Sequence, residues 1–232
     1  MAHQHFTNHK VLFQWLFAGL WMGLFLLTAC KANPPAEERI RQFVASGPGC
    51  VAPCWNNLIP GHSTVADLEI GNVRHTSLHP IGERYSWDVT RGGDRTFVDV
   101  YEGVIKTIGF RLGKDFTPGV IWAELGEPDY YEASIGIGGE ITLSFSLHLF
   151  YINEGIAVNI YIAPFKKELA DIRLTCQVTL VDIQDMQMSS AEIYLTVPGS
   201  VTDIGQFAPP VRVYHEVYKW HGGTVFDLAY CG

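Results

Sequence analysis

Glu154-Gly155-Ile156-Ala157-Val158-Asn159-Ile160-Tyr161-Ile162 begins with a turn-forming pair and then alternates, with Ile156, Val158, Ile160 and Ile162 at every second position. Side chains of a strand point to opposite faces with period two, so this stretch predicts a strand with one apolar face. Glu102-Gly103-Val104, running on to Ile108, carries the same Glu-Gly-(Val/Ile)-x-x-x-x-Ile pattern 52 residues earlier. A second landmark agrees, because Thr64 and Thr117, each placed to cap a short helix, stand 53 residues apart. Two landmarks at nearly one offset predict a duplicated unit.

Each unit reads as a short helix followed by an antiparallel meander. In the first, Ser63-Thr64 caps a brief amphipathic run, and strands follow at Tyr85–Thr90, Arg95–Tyr101 and Val104–Arg111, with Val104, Lys106, Ile108 and Phe110 expected on one face. In the second, Thr117 caps and Pro118 takes the first helical position, with strands at Tyr130–Ile135, Ile141–Ile152 and Gly155–Ala163. Further strands are expected at Leu174–Asp182 and Ala191–Val197, a short helix at Ser200–Phe207 and an edge strand at Val211–Tyr218. The fold class is therefore α+β, with tandem units at residues 50–112 and 113–163 inside a globular domain at 50–232.

Ahead of that domain, Val11 to Thr28 is an uncharged, strongly apolar run of eighteen residues, preceded by Lys10 and ending at Leu27-Thr28-Ala29-Cys30. Charged start, apolar middle and small-residue end are the layout of an export signal. The end resembles a bacterial lipobox, whose cysteine becomes the lipidated first residue. Residues 1–29 are then a signal peptide, and 30–49 are the lipidated cysteine and a tether containing a short helix at Ala36–Ala45. The competing reading is an uncleaved membrane anchor, for which eighteen residues stand at the short edge of the roughly 17–25 needed to span a bilayer. In both readings Lys10 holds the N-terminus inside, and the chain beyond it faces outward, on the cell membrane or on an outer membrane where there is one.

Cysteine usage fits export. With Cys30 lipidated, Cys50, Cys54, Cys176 and Cys231 remain, an even set that allows three connectivities. Cys50–Cys54 across Val51-Ala52-Pro53, with Cys176–Cys231 tying back the C-terminus, is the expected pairing. Cys50-x-x-x-Cys54 has three spacers and no following βαβ pattern, so a redox centre is not expected.

Charge excludes one class of partner. The 16 basic residues of the chain, less Lys10, face 24 acidic ones beyond residue 29, a net charge of about −9 with histidines neutral. Such a surface repels phosphate backbones, and nucleic acid is not an expected partner.

Leu125-Gly126-Glu127-Pro128-Asp129, after a capped helix, is similar to the LGxPD-type signature of SmpA/BamE-like lipoproteins and of β-lactamase-inhibitor-protein-like repeats. Ala52-Pro53-Cys54-Trp55, followed by Ile59-Pro60-Gly61, resembles a class of exported bacterial lipoproteins. Leu78-His79-Pro80 in the first unit is a degraded copy of the signature. The resemblance covers residues 50–163; it implies a scaffold for protein contacts and transfers no catalytic residue.

Chemistry-bearing residues are sparse. His75 and His79 stand four apart, but Pro80 and the intervening Thr76-Ser77-Leu78 predict a loop rather than a zinc-binding helix. His148 is expected on a wet strand face, and His221 in a turn. Glu124, Glu127, Asp129 and Glu132 read as a solvated acidic cluster, Gly136-Ile137-Gly138-Gly139 as a hairpin loop, and no Gly-x-Ser-x-Gly elbow is present. No catalytic residue, metal or cofactor is expected. Trp55, Tyr130, Tyr131 and Trp220 are the candidate contact surface, although such aromatics are also what a disulfide-stapled core would use; Tyr130 and Tyr131 cannot both point inward from one strand, so one of them is expected to be exposed or under a loop. The expected function is a non-catalytic envelope interaction or scaffold protein; a small-ligand or carbohydrate-binding lipoprotein and a cell-surface hydrolase are the alternatives.

Overall fold

The computed structural model describes residues 34–47, 49–68, 74–78, 82–88, 95–113, 116–138, 142–165, 175–199, 217–223 and 225–229. In chain order the elements are α1 (Ala36–Val44), β1 (Ala45–Gly47), β2 (Cys50–Val51), a 3-10 turn (Val65–Asp67), β3 (Arg74–Leu78), β4 (Gly82–Asp88), β5 (Arg95–Tyr101) and β6 (Val104–Leu112). There follow α2 (Pro118–Leu125), β7 (Tyr130–Gly138), β8 (Thr142–Tyr151), β9 (Ile156–Ile162), β10 (Gln177–Thr179), α3 (Leu180–Ile183), β11 (Ser190–Thr196), β12 (Tyr218–Lys219) and β13 (Val225–Asp227).

Nine of these strands form one antiparallel sheet in the order β12-β7-β8-β9-β11-β6-β5-β4-β3. The fold is thus mostly sheet, with few and short helices, rather than an even α+β arrangement. The helix expected after Thr64 is a single 3-10 turn, closed by a reciprocal Thr64–Asp67 capping box. Where Ala191–Val197 was expected to extend the architecture, β11 instead takes the centre. It pairs with β9 on one side (Ile193 opposite Val158) and with β6 on the other (Ile193 opposite Phe110).

One face of the sheet carries the main core. Across its middle run Ile160, Ala191 and Leu112; Val158, Ile193 and Phe110; and Ile156, Leu195 and Ile108, all buried. The expected stripe of β9 lies there, but that of β6 does not run as the alternation predicts. The register of β5 and β6 shifts between Asp99 and Val100, so Lys106 is the extra residue of a bulge. The bulge turns Lys106 outward and moves the inward position to Ile105, whose side chain is fully buried. The two Glu-Gly pairs also make different turns. Glu102 (φ 54°) and Gly103 (φ 78°) close a two-residue hairpin, the left-handed pair that such a turn requires. Gly155 instead ends a four-residue loop between Tyr151 and Ile156.

α2 forms where its capping signals predict. Thr117 Oγ1 accepts from Val120 N, Pro118 is at the first position, and Gly126 (φ 77°) ends the helix, its N–H donating to Trp122 O. The segment expected as a strand at Leu174–Asp182 is short β10, paired with β13, and then the capped turn α3. His75 lies in the exposed edge strand β3 rather than in a loop, and Gly136 belongs to β7. His79, the Ser200–Phe207 helix and most of Val211–Tyr218 lie outside the described residues.

The largest change concerns the tether. α1 is not a spacer within it but part of the body. Ile40 is fully buried, and Phe43 is stacked on Phe110 at 5.0 Å and tilted against Trp55 at 6.3 Å. The Arg39 guanidinium lies 4.4 Å over the Phe116 ring. Arg41 forks onto Glu124 of α2, Nε to Oε2 at 2.6 Å and Nη2 to Oε1 at 2.7 Å. An isolated helix of nine residues is marginal in water. Burying Ile40 and Phe43, at about 1.5–3 kcal/mol each, is what holds it. Cys50 and Cys54 form a disulfide just beyond, where Ala52 N also donates to Val44 O.

Two outcomes follow from this corner. Replacing Cys50 and Cys54 together by Ala frees a short loop in the unfolded chain and is expected to cost about 2 kcal/mol, read from the urea midpoint. The Arg41 hydrogen bond and charge hold the Glu124 carboxyl below its ordinary value. Its contribution is therefore present above the unfolded carboxylate value of about 4.3 and is lost as pH falls through the folded one. The stability difference between the parent and Glu124→Gln is expected at pH 6 and to close as pH drops below about 4.

Candidate functional site: a charged belt across the second sheet face

Residues directly opposite on neighbouring strands share a face, so the register defines a belt on the side away from the main core. Glu132 faces His148, His148 faces Asn159, Asn159 faces Glu192, Glu192 faces Arg111, and Arg111 faces Arg95. Six adjacent strands, β7-β8-β9-β11-β6-β5, each contribute one member. A parallel row carries Tyr130, Phe150, Ala157, Tyr194, Gly109 and Phe97, the centre of a second, smaller apolar cluster. Beyond it Thr196, Thr107, Asp99 and Arg84 make a third row.

One end of the belt is out of water: Glu132, His148 and Asn159 are buried, whereas Arg111 at the other end is exposed; in the third row Asp99 is only 1% exposed. His148 Nδ1 lies 2.6 Å from Asn159 Oδ1; the amide oxygen only accepts, so the ring N–H donates. Arg111 Nε donates to Glu192 Oε1 at 2.7 Å, and the Tyr194 hydroxyl donates to the other oxygen of Glu192. Burial first, and then the Glu192 charge, push the Tyr194 hydroxyl well above its ordinary value, so it remains a donor. Arg84 grips both carboxylate oxygens of Asp99, Nε to Oδ1 at 2.6 Å and Nη2 to Oδ2 at 2.7 Å, while Thr107 Oγ1 donates to Asp99 Oδ2 at 3.1 Å. Burial alone would lower the Arg84 value; the Asp99 hydrogen bond and charge outweigh it and raise the value. The guanidinium also lies 4.1 Å over the Phe97 ring.

Asp99 is forked by Arg84, Glu192 is shared between Arg111 and the Tyr194 hydroxyl, and the imidazole is held by an amide, and these pairings across strands help to fix strand order. Among the described residues no three His, Cys, Asp or Glu side chains stand together to hold a metal ion. Among them, too, no helix is long and apolar enough to cross a membrane.

The aromatic contact surface is corrected. Tyr131 is buried in the main core, its hydroxyl donating to Asp227 Oδ2 at 3.3 Å and accepting from Asp227 N at 2.9 Å. Trp220 is buried against Trp122 (5.0 Å), Phe226 (5.6 Å) and Tyr131 (5.7 Å). Alternation along β7 is the reason: Tyr131 and Ala133 face the core, whereas Tyr130 and Glu132 face the belt. Tyr130 is half-buried beside the second cluster, and Trp55 is half-buried under α1. The acidic cluster disperses as well: Glu124 binds Arg41, Glu127 is exposed, Asp129 Oδ2 accepts from Ile152 N at 2.7 Å, and Glu132 is buried in the belt. His148 is likewise buried rather than wet.

Cys30 and Cys231 lie outside the described residues. Cys176 is disulfide-bonded, and its partner lies outside them too. The belt left a faint trace in the sequence, since Asn159 and His148 fall in the phase opposite to the apolar stripes of their strands.

No protein-family model, curated protein or solved structure matches this chain.

Asp99→Ala leaves Arg84 without its fork and is expected to destabilise by about 3 kcal/mol in urea unfolding, as when one partner of a buried pair is removed. At Gly109 an added Cβ would fall inside the Phe97 ring. Gly109→Ala is expected to cost about 2–3 kcal/mol by overpacking, with Gly126→Ala as a comparison acting through backbone strain alone.

Proposed function

We propose that the chain is an exported lipoprotein, acylated at Cys30, whose sheet-rich body is a non-catalytic interaction or scaffold module of the cell envelope. The observation that carries this reading is the run from Lys10 through the uncharged Val11–Thr28 to Ala29-Cys30. The pairing of Asp99 with Arg84 and of Glu192 with Arg111 and Tyr194 supports a structural role for these charges and so favours a scaffold. The net negative charge disfavours nucleic acid as a partner.

The tandem-unit origin belongs to the same reading. β6 and β9, the strands that follow the two Glu-Gly pairs, flank β11 from opposite sides. Thr64 and Thr117 cap the turns at the head of each half. The likeness of Leu125–Asp129 to SmpA/BamE-like lipoproteins is part of the proposal, as is the Cys176–Cys231 bridge.

Metabolic labelling with palmitate, together with intact mass of the membrane fraction, tests the reading. The expected product begins at an acylated Cys30 and carries label, and Cys30→Ser loses the label and leaves the chain unprocessed. A membrane-bound product that begins at Met1 and takes up no label overturns it.

A further inference from the structure

β3 is the outermost strand of the sheet, and no described strand pairs with its outer side. Arg74, His75, Thr76 and Ser77 are all exposed, so both faces of the strand are open. Its base is firm. β4 joins β5 through seven residue pairs and the Arg84–Asp99 fork, and β3 joins β4 through five in an unbroken register. His75 reinforces that register, with its ring 5.0 Å from Tyr85 and its Nε2 3.6 Å from Glu83 Oε2. An uninterrupted edge of this kind presents a row of unpaired backbone donors and acceptors, a template for a further strand. The usual protections are missing: β3 contains no proline, lysine or bulge, and its one permanent charge, Arg74, stands at its end.

We propose that β3 is a pairing edge for β3 of a second copy of this chain, antiparallel about a two-fold axis through Thr76, so that two nine-stranded sheets become one. The run Arg74-His75-Thr76-Ser77-Leu78 selects that occupant because it complements itself. Centred on Thr76, all five residues find partners: Arg74 opposite Leu78, His75 opposite Ser77, and Thr76 opposite its own copy. A threonine pair across two strands is a favourable one, and no like charges meet. Every other register pairs fewer positions, and those centred on Arg74 or His75 set arginine against arginine or imidazole against imidazole. A foreign strand would need no such symmetry. Five residues a side bury too little for a tight dimer of dilute protein, so the pairing serves copies held at high local concentration. This inference goes beyond the acylated-scaffold reading and stands without it.

Disulfide cross-linking of the full chain in detergent micelles, with mild copper–phenanthroline oxidation and a non-reducing gel, tests the pairing. Directly opposite Cα atoms of antiparallel strands lie about 4.5–5.5 Å apart, within the span of a disulfide. Thr76→Cys is therefore expected to form a covalent dimer. In that register Arg74 stands about 14 Å from its own copy, so Arg74→Cys is expected to react roughly tenfold more slowly. Each variant is read against the parent, whose own cysteines set the background, and its fold is checked by circular dichroism. A mixture of His75→Cys and Ser77→Cys chains supplies a second reading, because these positions face each other only between copies. The mixture is expected to cross-link faster than either chain alone. Equal reaction at Thr76→Cys and Arg74→Cys would mean collision without a register, and no reaction above the parent at Thr76→Cys would mean a closed edge. Either result, or a mixture no faster than its components, overturns the proposal.

Discussion

The whole sheet depends on the double pairing of β11. Each half is a meander that satisfies its own inner strands, but β6 and β9 would both be edges without a strand between them. β11 fills that gap with Ala191, Ile193 and Leu195 on the core side, each opposite an apolar residue on both neighbours. Ala191 is small where Leu112 and Ile160 flank it, so the row packs without crowding. These contacts join segments far apart in the chain, and such pairings carry a high loop-closure cost before they contribute stability.

The two faces of the sheet solve different problems. The core face is sealed by apolar contact, with α1, α2 and the aromatic group of Trp122, Tyr131, Trp220 and Phe226 packed over it. The belt face buries charge, which gains little net stability unless every partner is met. Its gain is in specificity: a one-residue slip of β11 would place Glu192 away from Arg111 and set Tyr194 where Gly109 no longer makes room. Gly109 lets the Phe97 ring lie across β6, edge-on to Tyr194 at 5.7 Å.

Much of the local structure was legible, because local signals act locally. Thr117, Pro118 and Gly126 bracket α2, and the Ile156–Ile162 alternation marks β9. What escaped was set at long range. Ala191–Thr196 alternates like any strand, and nothing within it distinguishes a central position from an outer one. Lys106 looked like a member of a stripe because a bulge leaves no period of its own. Tyr131 and Trp220 could be read as core or as contact surface until the register of β7 turned Tyr131 inward and Trp220 packed against it. The belt left only the phase of His148 and Asn159 as a trace for the same reason: His148, Asn159 and Glu192 lie on separate segments, and only the strand order makes them neighbours.

The same distinction between local and distant explains where the chain is reinforced. α1 is a helix too short to stand alone. That corner holds the Cys50–Cys54 bridge, the Phe43–Phe110 stack and the Arg41–Glu124 fork. The fork and the stack reach across the chain to α2 and β6, so a load on α1 is shared with the core face rather than peeling β1 from β2. The edge strand β3 has a lighter set of bonds: His75, Glu83 and Tyr85 interact there in the open. Exposed pairs of this kind contribute little.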